Sequence, residues 1–516
     1  MRDYAVARAV PDHAVRTEVV VVGNGPSALS LSQLLAGWEP SLAASPPPPG
    51  AHAHAHAHAH PDELLEARLR SAPPAQSLLE QDLRALAQGL EGRARTPLAL
   101  LLDALERPGA DAGLERPSLL RWRLRRERAV DHVVLGKGPP GGAWQTMDGS
   151  ILTLSLASWM ELPGLSFRAW ESGAGDAGGG GGGGGGRGGG GGGGRVSAAA
   201  VARYYADYVA ARGIARYIRS GCVVTAVRPL GDAEGLWLVE GYEEGAGGRR
   251  RRRRFCYATR HVVLATGAYD RPNALGVPGE ALAHRDLRSL EAALDAVARQ
   301  HSAAGTTPDP VLVVGAGLSA ADAVIAARHR GFPVLHAFRR QVTQLELTQL
   351  PSSMYPEYHK VHQMMRDGGA GYPQYSALPE THLLALRPGY AWLSGPKSRF
   401  SKSSEHLSSA DNSCAESETS INDGDWYSVS ATAVLVGARP DLRYLKLPSG
   451  ETNLLAIDPS RPVDPKTNPI DVDPVSYRVL NAPKGLYALG PLAGDTFVRF
   501  VLGGAVGVAA HIQKQR

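Results

Sequence analysis

Two short stretches limit this chain more than anything else in it. Near the N-terminus, Val19-Val20-Val21-Val22 runs into Gly23-Asn24-Gly25-Pro26-Ser27-Ala28. About 290 residues later, Val311-Leu312-Val313-Val314 runs into Gly315-Ala316-Gly317-Leu318-Ser319-Ala320. β-Branched runs of this kind favour buried strands. A GxGxxA placed directly after such a strand suits a tight turn into a helix. Its first glycine (Gly23, Gly315) makes the turn. The second (Gly25, Gly317) lets a pyrophosphate approach the backbone, and the alanine (Ala28, Ala320) lets helix and strand pack closely. Free N–H groups at the helix start then face the phosphate charge. One copy would also suit a turn without a ligand, whereas two copies point to two nucleotides.

The rest of the chain alternates strand and helix patterns. Strands are expected at Glu18–Val22, His132–Leu135, Cys222–Val227, His261–Ala265, Val311–Val314, Pro333–Phe338, Ala431–Val436 and Gly485–Leu489. Helices are expected at Ser27–Leu35, Pro97–Leu105, Ala199–Ala211 and Ala320–Arg328. Apolar strands alternating with helices indicate an α/β fold with parallel sheets covered on both faces. Four segments carry too little apolar surface to offset chain entropy and are read as disordered insertions: Ser41–Pro61, Glu171–Ala200, Glu243–Arg254 and Ser394–Asp425. The first holds five Ala-His repeats and is read as low complexity and not as a metal site; the second holds the tract Gly178–Gly194, with 16 of the 61 glycines; the last holds ten serines.

Charge adds little. The 55 Lys and Arg against 50 Asp and Glu leave +5, and the run Arg249–Arg254 alone supplies six positives, so the remainder stands at 5 − 6 = −1. That gives no case for nucleic-acid binding. Three cysteines (Cys222, Cys256, Cys414) make neither a disulfide framework nor a metal spacing. With no apolar signal core at the N-terminus and no run of about 18 apolar residues, the chain is expected to be cytoplasmic and without a membrane span.

The strand ends suggest which nucleotides. Arg339-Arg340 follows Pro333–Phe338, where an enzyme using NAD carries an acid for the ribose. Two arginines there suit the 2′-phosphate of NADPH. In the first half, the ribose acid expected after His132–Leu135 is absent and Gly136-Lys137 stands in its place. The loop that follows contains Gly141-Gly142-Ala143-Trp144 and resembles the flavin-side loop of flavin-containing monooxygenases, with the glycines admitting backbone to the flavin and Trp144 walling the ring. The same loop also suits a glycine turn with a core tryptophan. Two segments, Val263–Pro272 (through Gly267) and Val434–Pro440, both leave a strand through Gly and Arg-Pro. Such a pair suits one nucleotide domain inserted into another. The expected layout is an FAD-type domain over 16–280, an NADPH domain over 281–431, and a return to the first over 432–516. Gly485–Asp495 closes that domain, and its Gly490 and Asp495 resemble the motif by which two-dinucleotide flavoproteins hold the flavin's ribityl chain.

Longer stretches carry a more specific likeness. Val22–Ser27, His132–Trp144, Trp159–Pro163, Tyr355–Met365, Asn468–Pro474 and Gly490–Phe500 resemble the oxidative-stress-induced growth inhibitor family, over nearly all of the chain outside the four insertions. The resemblance implies two Rossmann-type domains, FAD and NADPH as cofactors, and monooxygenase chemistry in which NADPH supplies the electrons. It also implies a link to restraint of growth, differentiation and cell death, with regulatory protein partners. No catalytic residue is assigned. Asn24 could bond near the flavin. Tyr355, Tyr358 and His359 suit either a substrate or nicotinamide pocket or a helix start with core aromatics. His359 and His362 read as a polar helix face. A reading from another class also stands: a nucleotide-binding regulator with little turnover, for which the missing ribose acid speaks.

Overall fold

The computed structural model describes residues 10–43, 65, 67–69, 73, 76–173, 194–231, 235–245, 252–342, 350–395 and 424–516. Packing divides the chain into two units, Met1–Asp270 with Arg439–Arg516, and Arg271–Ala438. The second unit thus begins ten residues earlier than 281, because Glu280 ties that stretch to it. The Glu280 carboxylate accepts from Leu275 N and Gly276 N and pairs with Arg285.

The first unit opens with β1 (Val15–Val22) and α1 (Pro26–Leu35). An antiparallel strand pair, Trp38–Leu42 with Leu120–Leu124, follows, and helix α2 (Pro97–Glu106) lies in the chain between its strands. Then come β2 (His132–Leu135), α3 (Ala198–Ala211), β3 (Ile218–Arg219), β4 (Cys222–Pro229), β5 (Trp237–Glu243) and β6 (Arg253–Leu264). Val19–Val22 of β1 are buried on both faces, as a central parallel strand requires.

The second unit comprises α4 (Leu287–Ala304), β7 (Val311–Val314), α5 (Leu318–His329), β8 (Val334–Phe338), α6 (Pro356–Arg366), β9 (Tyr375–Pro379) and β10 (Ala431–Val434). Its sheet runs β9-β8-β7-β10 with every pairing parallel. A three-stranded antiparallel sheet (His382–Arg387, Tyr390–Ser394, Asp425–Ser428) precedes β10. The chain then returns to the first unit with β11 (Leu486–Ala488) and α7 (Val501–Lys514).

The first sheet runs β3-β2-β1-β6-β5-β4, with β11 also paired to β6. In the second unit the chain order is 3-2-1-4, the strand order of a Rossmann half, and the first unit shows the same order once the antiparallel β4 and β5 are set aside. The first sheet differs from a wholly parallel one. The N-terminal part of β6 pairs antiparallel with β5 (Arg253 opposite Glu243), whereas Val262–Leu264 pairs parallel with β11. Helix α7 is glycine-rich because it packs closely: a side chain on Gly503 would collide with the backbone of Ala99 in α2.

Each expected insertion is narrower than its sequence limits. Ser41 and Leu42 belong to the strand that pairs with Leu120–Leu124, and Ser41 also bridges to Ser77. Glu171 ends a helical turn, Arg195–Ser197 forms a strand, and the Ser197 hydroxyl caps α3 by accepting from Ala200 N. Arg253 and Arg254, expected in a loop tip, begin β6, where the ladder to β5 satisfies their backbones. Ser394 and Asp425 end and begin strands. The Ala-His repeats and Gly178–Gly193 lie outside the described residues.

Candidate functional site

The two glycine turns are built alike. Gly23 (φ 107°) and Gly315 (φ 137°) take backbone angles that side chains rarely adopt. A side chain on Gly23 would strike the carbonyl of Ala265, at the exit of β6, and one on Gly315 would strike the carbonyl of Leu435, just past β10. Each turn therefore lies where strand order reverses, at the carboxyl edge of its own sheet, which is where open α/β sheets bind ligands. Gly25 and Gly317 cap α1 and α5 without any side-chain bond, and a side chain built on either meets nothing within 4 Å. The N-terminal N–H groups of both helices are thus open to an anion. Ala28 and Ala320 are fully buried against their strands.

Around the first turn, Asn24 holds the loop after β2. Its Nδ2 donates to Gly138 O at 2.8 Å, and its carbonyl accepts from Gly141 N at 2.9 Å. Its side chain lies against Gly136, where any Cβ would overlap it. Glycine at 136 therefore makes room for the Asn24 side chain. Gly142 stacks on the Gly25 backbone, and Trp144 packs edge-on against Tyr205 of α3 at 6.5 Å. Gly267 turns the chain after β6 with open space at its Cβ position. Lys137 pairs with Asp270 at 3.0 Å.

Asp495 follows β11 and the tight turn at Gly490, whose Cα sits against Ser27 in the first turn of α1. It is 1% exposed. Tyr477 donates its hydroxyl to Asp495 Oδ2 at 2.9 Å, and Thr96, the cap of α2, bonds Tyr477 in turn. Asp495 Oδ1 is buried without a hydrogen-bond partner. Burial pushes the carboxyl up to about 7 against these partners.

The second turn is backed by a histidine. His336 of β8, 1% exposed, bonds Gly315 O through Nε2 at 2.7 Å and Tyr375 OH through Nδ1 at 2.8 Å. A carbonyl can only accept, so Nε2 carries the proton and Nδ1 accepts from the tyrosine. Burial pushes this imidazole down to about 4 and keeps it neutral. Arg339 and Arg340 emerge exposed directly after β8. Tyr355 and Tyr358 are buried, and Tyr358 donates to Asp322, so they are core residues; His359 is half-buried on α6.

Residues 238–366 match the family model described as pyridine nucleotide-disulphide oxidoreductase. Oxidative stress-induced growth inhibitor 1 of Mus musculus is 41% identical over 96% of this chain and 95% of its own length. The chain belongs to the oxidative stress-induced growth inhibitor family. Oxidative stress-induced growth inhibitor 2 of Homo sapiens is 35% identical over 96% of this chain and 93% of its own. Among solved structures, the bacillithiol disulfide reductase of Staphylococcus aureus covers 97% of this chain and 99% of its own at a TM-score of 0.54 and 10% identity, which makes it a likeness of fold.

Several parts of these sites left no local signal. Tyr477, Thr96 and Asp495 meet from three distant segments. Arg107 binds the carbonyls of Ser158, Glu161 and Arg499, and the hydroxyls of Tyr204, Tyr205 and Tyr208 hold the backbone of residues 160–165. Asn468 is spent on three carbonyls (Asp458, Arg461, Pro462), and Ile470 N bonds Leu492 O, which braces the Gly490 turn. Asn468, Asp495 and residues 160–163 fall inside the long motifs, whereas Thr96, Arg107, Tyr204, Tyr205, Tyr208 and Tyr477 fall outside them and carry no cue. Among the described residues, no three His, Cys, Asp or Glu side chains could hold a metal, and no helix is long and apolar enough to cross a membrane.

Proposed function

We propose that this growth inhibitor family member is an NADPH-dependent flavin monooxygenase, binding FAD at the first glycine turn and NADPH at the second. The observation that carries this is a pair of like-built turns with unlike surroundings, a buried acid on one and an arginine pair after the other. The residues of the first turn suit FAD. Gly25 leaves room for a pyrophosphate, α1 offers uncapped N–H groups, and Asp495 Oδ1 is a buried acceptor awaiting a hydroxyl. Gly23, Asn24, Ala28, Gly141, Gly142, Trp144, Gly267 and Gly490 would complete that site. At the second turn, Gly315, Gly317 and Ala320 would seat the NADPH pyrophosphate, and Arg339 and Arg340 its 2′-phosphate.

A bound flavin supplies electron transfer from NADPH to dioxygen, so the hard chemistry is the cofactor's. The chain's own task is to bind, orient and exclude water. Asp495 would accept a flavin hydroxyl while Tyr477 and Thr96 fix its carboxyl plane. His336 would hold the Gly315 carbonyl and so the shape of the NADPH turn.

A second reading, a nucleotide-binding regulator with little turnover, is favoured by Lys137 standing where a ribose acid belongs. The test is cofactor mass spectrometry and visible absorption of the purified protein, followed by NADPH oxidation with and without oxygen. FAD released on denaturation, with NADPH oxidised only when oxygen is present, supports the monooxygenase. NADPH binding without flavin or oxidation favours the regulator.

A further inference from the structure

Lys137 is not free at the position where an acid is missing. Its Nζ lies 3.0 Å from Asp270 Oδ1, and the two residues are 133 apart in sequence. Lys137 sits between Gly136 and Gly138, both of which touch the side chain of Asn24 in the first glycine turn. Asp270 arrives from the other side. It follows β6, whose exit carbonyl at Ala265 lies against Gly23. β2 and β6 flank β1, so the Lys137–Asp270 pair joins the chain ends on either side of the turn, at the carboxyl edge of the sheet. The lysine side chain is 65% exposed and the aspartate only 16%. Asp270 Oδ2 is buried and has no hydrogen-bond partner.

A carboxylate accepts through both oxygens, with about four lone-pair sites. Lys137 occupies one oxygen and fixes the orientation of the group. The other is left desolvated and unpaired, an arrangement that costs free energy unless a donor arrives. The adenosine end of a dinucleotide seated on Gly23 and Gly25 presents such donors, the two hydroxyls of its ribose.

We propose that Asp270 supplies the carboxylate that receives the adenosine ribose at the first glycine turn, delivered from the β6 side in place of the acid normally carried after the second strand. This rests on the reading of that turn as a dinucleotide site. Lys137 is the positioning residue: it orients Asp270 and, being neutralised by it, does not recruit a 2′-phosphate. The site would therefore select a nucleotide with a free ribose diol, as FAD has.

The test strips the full-length protein of cofactor and measures how ADP and 2′,3′-dideoxy-ADP compete with FAD for reconstitution. The wild type is expected to prefer ADP by about ten-fold or more, the worth of a hydrogen bond to a charged acceptor. Asp270→Asn and Asp270→Ala are expected to bring that preference to within about two-fold, with the dideoxy compound little affected. A purely structural role would weaken both competitors equally and overturn the inference, as would a variant that keeps the full preference. Circular dichroism of both variants checks that they fold; the asparagine keeps the shape of the side chain. Wild-type protein that takes up no FAD overturns the dinucleotide reading and this inference together. Uptake of FAD with no preference for ADP in the wild type overturns this inference alone.

Discussion

The turns at Gly23 and Gly315 solve one backbone problem identically and a chemical problem differently. Each glycine takes a left-handed angle against the carbonyl of the strand across the switch point. Beyond that the surroundings part. The second turn is served locally: His336 and the Arg339-Arg340 pair come from the next strand of the same parallel run. The first is served from afar, by Asp270 after β6 and by Asp495 after β11, each with a buried unpaired oxygen. On the proposed reading, backbone geometry would set where a nucleotide lies, and the side chains gathered at the strand ends would set which one.

The largest effect should come from breaking the shared geometry. Gly23→Ala and Gly315→Ala each combine a strained angle with a backbone collision and should each destabilise by about 3 kcal/mol or more. Urea denaturation measures this. The comparison itself is tested by what survives: Gly23→Ala should lose flavin and Gly315→Ala should lose NADPH binding first. Gly25→Val meets open space, so it should fold normally and lose flavin alone.

Next in size is the arginine pair. Arg339→Ala with Arg340→Ala should weaken NADPH by about 10- to 150-fold and leave NADH nearly unchanged. Titration with both nucleotides decides it, and equal losses would mean that the pair does not read the 2′-phosphate.

The two sites should also answer pH in opposite senses. Asp495 is raised to about 7 from 3.8, so in cofactor-free protein its contribution is full below 3.8 and lost as pH rises through 7. Asp495→Asn does not titrate and should gain stability relative to wild type between about pH 4 and pH 8. His336 is lowered to about 4 from 6.5, so its contribution is full above 6.5 and lost as pH falls through 4. Tyr375→Phe would strand its Nδ1 without a donor, at a cost of about 1–3 kcal/mol. Denaturation curves across that pH range separate the two.

The smallest effect tests the loops. Shortening Gly178–Gly190 should change stability by about 0.6 kcal/mol per halving of loop length. A drop of several degrees in melting temperature, larger than that cost implies, would show that the tract packs against a unit.

Sequence made the turns legible because their requirements are local: a valine run, a glycine that must turn, a small residue that must pack. β2 and β7 fall where their apolar runs predict. β6 was recognisable only at its end, because its first half begins with Arg253 and Arg254, whose place in a strand depends on β5 opposite them. The three-stranded sheet near Tyr390 was missed for the same reason: Trp392 and Trp426 stack across strands on either side of a serine-rich segment. Long-range pairs leave no pattern. Nothing near Lys137 announces Asp270, and nothing near Asp495 announces Tyr477. The aromatics at Tyr355 and Tyr358 show the converse: their motif suits either a pocket or a core, and only their burial decides for the core.

The interrupted course of the first unit has a consequence for how the chain is made. Synthesis runs from the N-terminus at about 5–20 residues per second. When β6 emerges, the edge at Val262–Leu264 still lacks β11, and α1 and α2 still lack α7. The second unit, whose chain is continuous, can complete its sheet while the first waits open on the ribosome. The later-encoded unit is therefore expected to mature first. Ribosome-stalled chains ending before Leu486 should yield a protease-resistant fragment of Arg271–Ala438 while Met1–Asp270 is still cut. Nonsense changes in the last helix would then release a protein with one finished half and one that chaperones must hold.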